Sequence, residues 1–213
     1  MINDNDTILF QGDSITDCER DRSNLHPNDT RALGWGYAGM VAEHLLASRP
    51  AATLRIYNRG VSGDRVPQLA DRWQTDCLDL APHVLSILVG VNDMWHRLMG
   101  SAGGTVADYE RAYRDLLERT RRTLPSVRLI ICEPFIVRCG VVDAAWLPEF
   151  DERRAVARDL AAAFDATFVR FQKVFDEACT YTVPTEWASD GVHPTPAGHR
   201  LMADEWLHAM SES

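Results

Sequence analysis

Ser14, Asp190 and His193 are residues whose types and spacing could do chemistry together. Ser14 stands in "LFQGDSITDC", directly after an apolar run and a Gly-Asp step, where a strand would deliver it to a tight turn. Asp190 and His193 stand three residues apart in "SDGVHPTPAGH", near the other end of the chain. A serine hydroxyl is a poor nucleophile until a base takes its proton during attack. An imidazole can be that base if one ring nitrogen faces the serine and an acceptor holds the other. An aspartate three residues earlier, on the same short turn, can reach the second nitrogen and fix the tautomer. The tetrahedral intermediate of acyl transfer then needs donors aimed at its oxyanion. Three candidates stand in the chain: the backbone N–H of Ser14, the backbone N–H of Gly63 in "NRGVSGDR", and the side-chain amide of Asn92 in "GVND". At Gly63 the missing Cβ would allow close approach.

Each of these residues also has a plainer reading. A serine after a strand can be a helix cap, glycines serve turns that need φ > 0, Asn-Asp is common turn chemistry, and a histidine before a proline can simply pack a loop. Their joint occurrence in this chain order is what points to a serine hydrolase. Ser62 is a rival nucleophile, but "GVSGD" has Asp64 where the strand-to-helix elbow G-x-S-x-G needs its second glycine. It reads as a turn residue that positions Gly63. Asp13 is a second candidate acid or a substrate contact, although its place beside Ser14 suits a buttress of the turn. Trp35, Trp95 and Trp187 fall in or beside long loops, where an indole could wall an acyl group or stack on a sugar. Trp95, three residues after Asn92, and Trp187, three before Asp190, are the candidates for substrate binding.

These groups need elements that bring distant segments to one place. Apolar runs at 7–11, 53–59, 83–90, 127–133 and 166–171 read as strands. Between them, Tyr37, Met40, Val41, His44 and Leu45 fall on one helical face, as do Val66, Leu69, Ala70, Trp73, Cys77 and Leu80. Further helices are expected at 105–123, 149–164 and 196–210, the last opened by Pro196. Alternating strands and helices predict an α/β fold with a parallel sheet of about five strands and helices on both faces. Residues 1–213 read as a single domain with no repeat or linker. Segments 18–34, 91–104, 134–147 and 180–195 read as long loops. Chemistry gathers outside the carboxyl ends of strands in such a sheet. Ser14, Gly63 and Asn92 follow the first, second and third strands.

Composition narrows the function classes. The chain has 213 residues, 46% hydrophobic and 25% charged, in the ordinary range for a globular protein. A net charge of −9 argues against nucleic acid or an anionic membrane surface as partner. No apolar run approaches the roughly 18 residues of a membrane span. The amino terminus "MINDNDTILF" lacks the basic start of a secretion signal, so a cytoplasmic location is expected. The five cysteines are scattered without a C-x-x-C pair and read as free thiols. The histidines form no H-E-x-x-H or comparable cluster, so neither a metal nor another cofactor is expected.

"GDSIT", "SGD", "GVND" and "DGVHP" together resemble the four blocks of the SGNH (GDSL) hydrolase superfamily. The resemblance runs from Phe10 to His199. It implies a three-layer α/β/α flavodoxin-like fold, with Ser14 as nucleophile and first oxyanion donor, Gly63 and Asn92 as further donors, His193 as base and Asp190 as its acid. "LFQGDSITDC", "ARDLAAAF" and "WASDGVHPTPAGH" are most similar to the branch containing intracellular acetyl xylan esterases. That branch implies a small acylated substrate, an acetylated sugar such as a xylo-oligosaccharide. A lysophospholipase or thioesterase for longer acyl chains is the alternative in the same class. A non-enzymatic small-molecule binding module, with the "GDS" turn cradling an anion at a helix N-terminus, is the alternative of another class. Against it, the turn lacks a glycine-rich phosphate signature, and anion binding gives Asp190 and His193 no reason to pair. Oligomeric state stays open, a homo-oligomer included.

Overall fold

A computed structural model describes residues 2–101 and 103–211 of the chain. Five strands, β1 (Thr7–Gly12), β2 (Arg55–Asn58), β3 (Val84–Leu88), β4 (Arg128–Cys132) and β5 (Thr167–Val169), form one sheet in the order β2-β1-β3-β4-β5. Every pairing is parallel, with Leu9 opposite Tyr57 on one side and Leu85 on the other. The helices are α1 (Ser14–Asp17), α2 (Thr30–Leu33), α3 (Tyr37–Ser48), α4 (Val66–Trp73), α5 (Val91–Leu98), α6 (Val106–Thr123), α7 (Leu147–Ala163), α8 (Phe171–Ala178) and α9 (Pro196–Ser211). The sheet order is that of a flavodoxin-like, doubly wound fold.

Period-2 side-chain alternation divides the core in two. Ile8, Phe10, Val84, Leu88 and Ile130 face one way and bury Tyr37 and Val41 of α3, Phe171 and Phe175 of α8, and Trp206 of α9. Leu9, Leu85, Ile87, Leu129 and Ile131 face the other way, onto Leu69 and Trp73 of α4, Tyr109 and Tyr113 of α6, and Leu160 of α7. Strands buried on both faces read as continuous apolar runs, which is how "TILF" and "VLSIL" appear in the sequence.

The chain leaves β1 for β2 on one side and returns to β3 on the other, so the winding reverses between β1 and β3. A crevice opens at the carboxyl ends of strands at such a switch point. Gly12 ends β1 there because a Cβ would collide with the Leu88 carbonyl oxygen and Thr16 Oγ1. A glycine at this step lets β1 turn sharply beside β3.

Four expectations change. Residues 30–33, expected within a loop, form the short helix α2. Residues 91–98, expected within a loop, form α5: Val91, Met94, Trp95 and Leu98 fall at i, i+3, i+4 and i+7. Phe171, expected at a strand end, opens α8 instead, with Phe175 and Ala178 buried behind it. The helix expected to run to Leu80 is α4 followed by a π-helical turn at Gln74–Leu78.

Candidate active site

Ser14 is the first residue of α1, a single turn set between β1 and Cys18. Asp13 caps that turn, Oδ1 accepting from the Ile15 N–H at 3.1 Å. Cys18, at a φ of 39°, closes it by donating its N–H to the Ser14 carbonyl at 3.0 Å. The first N–H groups of a helix have no intrahelical partner, so the Ser14 N–H is a donor that the helix itself does not use. Ser14 is half-buried at the edge of the crevice.

His193 arrives from the segment preceding α9, and its Nε2 lies 2.9 Å from Ser14 Oγ. His193 Nδ1 lies 2.7 Å from Asp190 Oδ2. Asp190 Oδ1 accepts from the backbone N–H groups of His193 at 2.7 Å and Val192 at 2.9 Å. Partial burial of Asp190 works against its ionisation, but these hydrogen bonds, the His193 ring foremost, outweigh it and hold the carboxyl below the usual Asp range. A carboxylate can only accept, so Nδ1 carries the imidazole proton and Nε2 is left to accept from the serine.

Gly63 lies in a turn closed by the Asp64 N–H donating to the Val61 carbonyl at 3.1 Å. Its φ of 86° suits the third position of a type II turn, which favours glycine. The space a Cβ would take there meets no protein atom within 4 Å among the described residues. Ser62 anchors the turn to α1: its N–H and hydroxyl donate to Asp17 Oδ2 at 2.9 and 3.0 Å. Asn92 is buried in the first turn of α5, and its Nδ2 donates to the Asp64 carbonyl at 3.1 Å. Ser14–His193–Asp190 thus form one hydrogen-bonded line. Asn92 and Gly63 meet through Asp64, and Gly63 is joined to the helix of Ser14 through Ser62 and Asp17.

Trp95 packs on the His193 ring, centroids 5.6 Å apart. Behind it stands the buried Trp146, edge-on at 6.1 Å. Trp146 lies fifty-one residues from Trp95, and no local pattern marks it as part of this wall. Trp187 is half-buried, and its carbonyl accepts from the Thr195 N–H at 2.9 Å to close the loop that carries Asp190 and His193. Asp13 is 1% exposed, and burial pushes its carboxyl up to about 7 against the opposing bond from Ile15. Asp93, also buried, is pushed up to about 6, with Arg153 opposing the shift. His199 belongs to the frame: Nδ1 accepts from the Tyr37 N–H at 3.1 Å and Nε2 lies 3.3 Å from Cys18 Sγ. Among the described residues, no three His, Cys, Asp or Glu side chains gather in a metal-binding cluster.

The chain resembles other proteins over nearly its whole length. It is 32% identical over 210 residues to an acetylxylan esterase of Geobacillus stearothermophilus, spanning 97% of this chain and 94% of that one. A crystal structure of the Geobacillus acetylxylan esterase superposes with a TM-score of 0.87 at 31% identity, covering 98% of this chain and 95% of that one. A protein of Parabacteroides merdae described as a GDSL-like lipase superposes with a TM-score of 0.97 at 45% identity, covering 100% of this chain and 99% of that one. The family model for GDSL-like lipases and acylhydrolases matches residues 10–201. The chain is a carboxylic ester hydrolase and belongs to the GDSL-like Lipase/Acylhydrolase family.

Proposed function

We propose that the protein hydrolyses small O-acyl esters through an acyl-enzyme on Ser14, and that its substrate is an acetylated sugar of the xylo-oligosaccharide type. The hydrogen-bonded line Ser14–His193–Asp190 is the observation that supports the mechanism. Ser14 Oγ attacks the ester carbonyl while His193 Nε2 takes its proton. The carbonyl oxygen becomes an oxyanion, for which the N–H groups of Ser14 and Gly63 and the Asn92 amide are the donors. Asp190 holds the imidazole in the working tautomer and stabilises the imidazolium. As the tetrahedral intermediate collapses, the C–O bond breaks and His193 gives its proton to the leaving sugar hydroxyl. Water then attacks the acyl-enzyme, its proton passing to His193 and on to Ser14, and the carboxylic acid departs.

Similarity to an acetylxylan esterase supports the acetyl-sugar reading. So does Trp95 against His193, an apolar wall suited to a short acyl group, with the sugar lying among the surrounding loops. One feature favours the longer-chain alternative: a concavity of about 1030 Å3 beside α3, with Leu33, Trp35, Met40 and Leu46 in its walls. Ser14 and His193 are not in those walls. A series of p-nitrophenyl esters from acetate to palmitate, run beside acetylated xylo-oligosaccharides, separates the two. We expect the highest kcat/KM on acetate, falling by butyrate to octanoate, and release of acetate from the oligosaccharides. Each CH2 buried in a groove would add about 0.8 kcal/mol. A maximum at eight or more carbons overturns the acetyl-sugar reading in favour of a lysophospholipase or thioesterase.

A further inference from the structure

Arg72 projects from α4 toward the carboxyl ends of β1 and β2, and its side chain is 18% exposed. Its Nε donates to Asp64 Oδ2 at 2.8 Å. Its Nη1 donates to Gln11 Oε1 at 2.8 Å, to the Arg59 carbonyl at 2.7 Å and to Asp76 Oδ2 at 3.1 Å. Its Nη2 donates to the Gly12 carbonyl at 3.3 Å. One planar group therefore holds the end of β1, the end of β2, the turn after Gly63 and the π-helical turn at once. The fixed fork of a guanidinium can do this, whereas a lysine offers a single point charge.

The partners are the residues next to the oxyanion donors. Gly12 stands two residues before Ser14, and its carbonyl also accepts from the Val61 N–H at 3.0 Å. Asp64 follows Gly63 directly, and its carbonyl accepts the Asn92 amide. Burial pushes the Asp64 carboxyl up, and the hydrogen bond from Arg72 opposes that shift. The Arg72 hydrogen bond therefore fixes the Asp64 carboxyl in place. We infer that Arg72 is a positioning residue of the oxyanion hole: by gripping Gly12, Arg59 and Asp64 together it sets the spacing of the Ser14, Gly63 and Asn92 donors. The inference rests on the donor assignment proposed above.

A donor displaced by a fraction of an ångström loses much of its worth to the transition state while ground-state binding hardly changes. Arg72→Lys keeps the charge but cannot reach Asp64 and the two carbonyls together. With p-nitrophenyl acetate, at a temperature where circular dichroism shows the variant folded, kcat should fall by about 10- to 100-fold with KM within about threefold. Phenylboronic acid, whose adduct on Ser14 places an oxygen in the hole, should bind more weakly by a similar factor. A purely structural role would leave both values unchanged in the folded enzyme. Asp64→Asn, which keeps the carbonyl for Asn92 and weakens only the grip, should lower kcat by about tenfold and carries the test if Arg72→Lys does not fold. Wild-type kcat and boronate affinity in either folded variant, or a loss confined to KM, overturns the inference. Ser14→Ala separates the two failures. An active Ser14→Ala removes the proposed mechanism and the clamp with it, whereas an inactive Ser14→Ala beside an unaffected Arg72→Lys removes the clamp alone.

Discussion

Asp190→Asn removes one charge and turns one acceptor into a donor while keeping the shape of the side chain. In the wild-type protein Oδ1 accepts two backbone N–H groups, and Oδ2 faces His193 Nδ1 at 2.7 Å. The asparagine oxygen must keep the two backbone donors, because an NH2 in that place would face two N–H groups. The NH2 is then left facing Nδ1, which can meet it only as an acceptor. The imidazole proton moves to Nε2, the atom 2.9 Å from Ser14 Oγ, and the serine loses its base. The same substitution in a Ser-His-Asp protease drops kcat by about 10⁴, so about 5–6 kcal/mol of transition-state stabilisation is at stake. His193→Ala, which removes the base outright, should cost more, about 10⁶. The assay is kcat/KM on p-nitrophenyl acetate at pH 7.5, with melting temperature followed against pH. Because the folded Asp190 carboxyl is held below the usual Asp range, its contribution to stability is present above the unfolded pKa and lost as pH falls through the folded one. Asp190→Asn should therefore lower the melting temperature at neutral pH and match the wild type in strong acid. Activity within tenfold of the wild type at pH 7.5 would refute the claim that Asp190 sets the tautomer.

Ser14→Ala should remove about 10⁶ in kcat with the melting temperature unchanged and no adduct with a fluorophosphonate probe. Ser62→Ala, which loses only a tie to Asp17, should stay within about tenfold of the wild type, and the reverse ranking would move the nucleophile to Ser62. Asn92→Ala should lower kcat by roughly 10²–10³ with a modest change in KM; an effect on KM alone would make Asn92 a ground-state contact. Burial pushes Asp13 up to about 7, so the folded protein carries an unfavourable carboxylate above that pH and is relieved of it as pH falls toward 3.8. Asp13→Asn keeps an acceptor for the Ile15 N–H and should raise the melting temperature at pH 8 but not at pH 4. An equal shift at both values would show that the charge is not what the site resists.

The inner strands β1, β3 and β4 are legible because they are buried on both faces. Ile8 and Phe10 belong to one core and Leu9 to the other, so β1 appears as an unbroken apolar run. α5 and α8 do not stand out in the sequence, and each is only eight residues long. Two turns give too few repeats for a helical period to stand out from an apolar strand end or a polar loop. In α5 the Asn-Asp pair carries the appearance of a turn. Burial of Val91 and Met94 against the sheet decides for helix.

The residues proposed to do the chemistry stand out in the sequence for a different reason. Asp190 and His193 are three apart, so their pairing is a property of one turn, and Ser14 follows a strand whose carboxyl end must reach the switch point. What holds those residues in register is not local. Arg72 meets Gln11 and Gly12 across 61 and 60 residues of sequence. In the sequence it lies beside the apolar stripe of Val66, Leu69, Ala70 and Trp73, where an arginine reads as a solvated face. Trp146 reaches Trp95 over a similar distance. A residue that reacts needs a particular functional group, and that need is visible in one dimension. A residue that positions another needs only a donor at the right point in space, and many side chains along the chain look able to supply one. Arg72 becomes distinguishable only when burial removes its water and strand ends, turn and π-helical turn converge as its replacements.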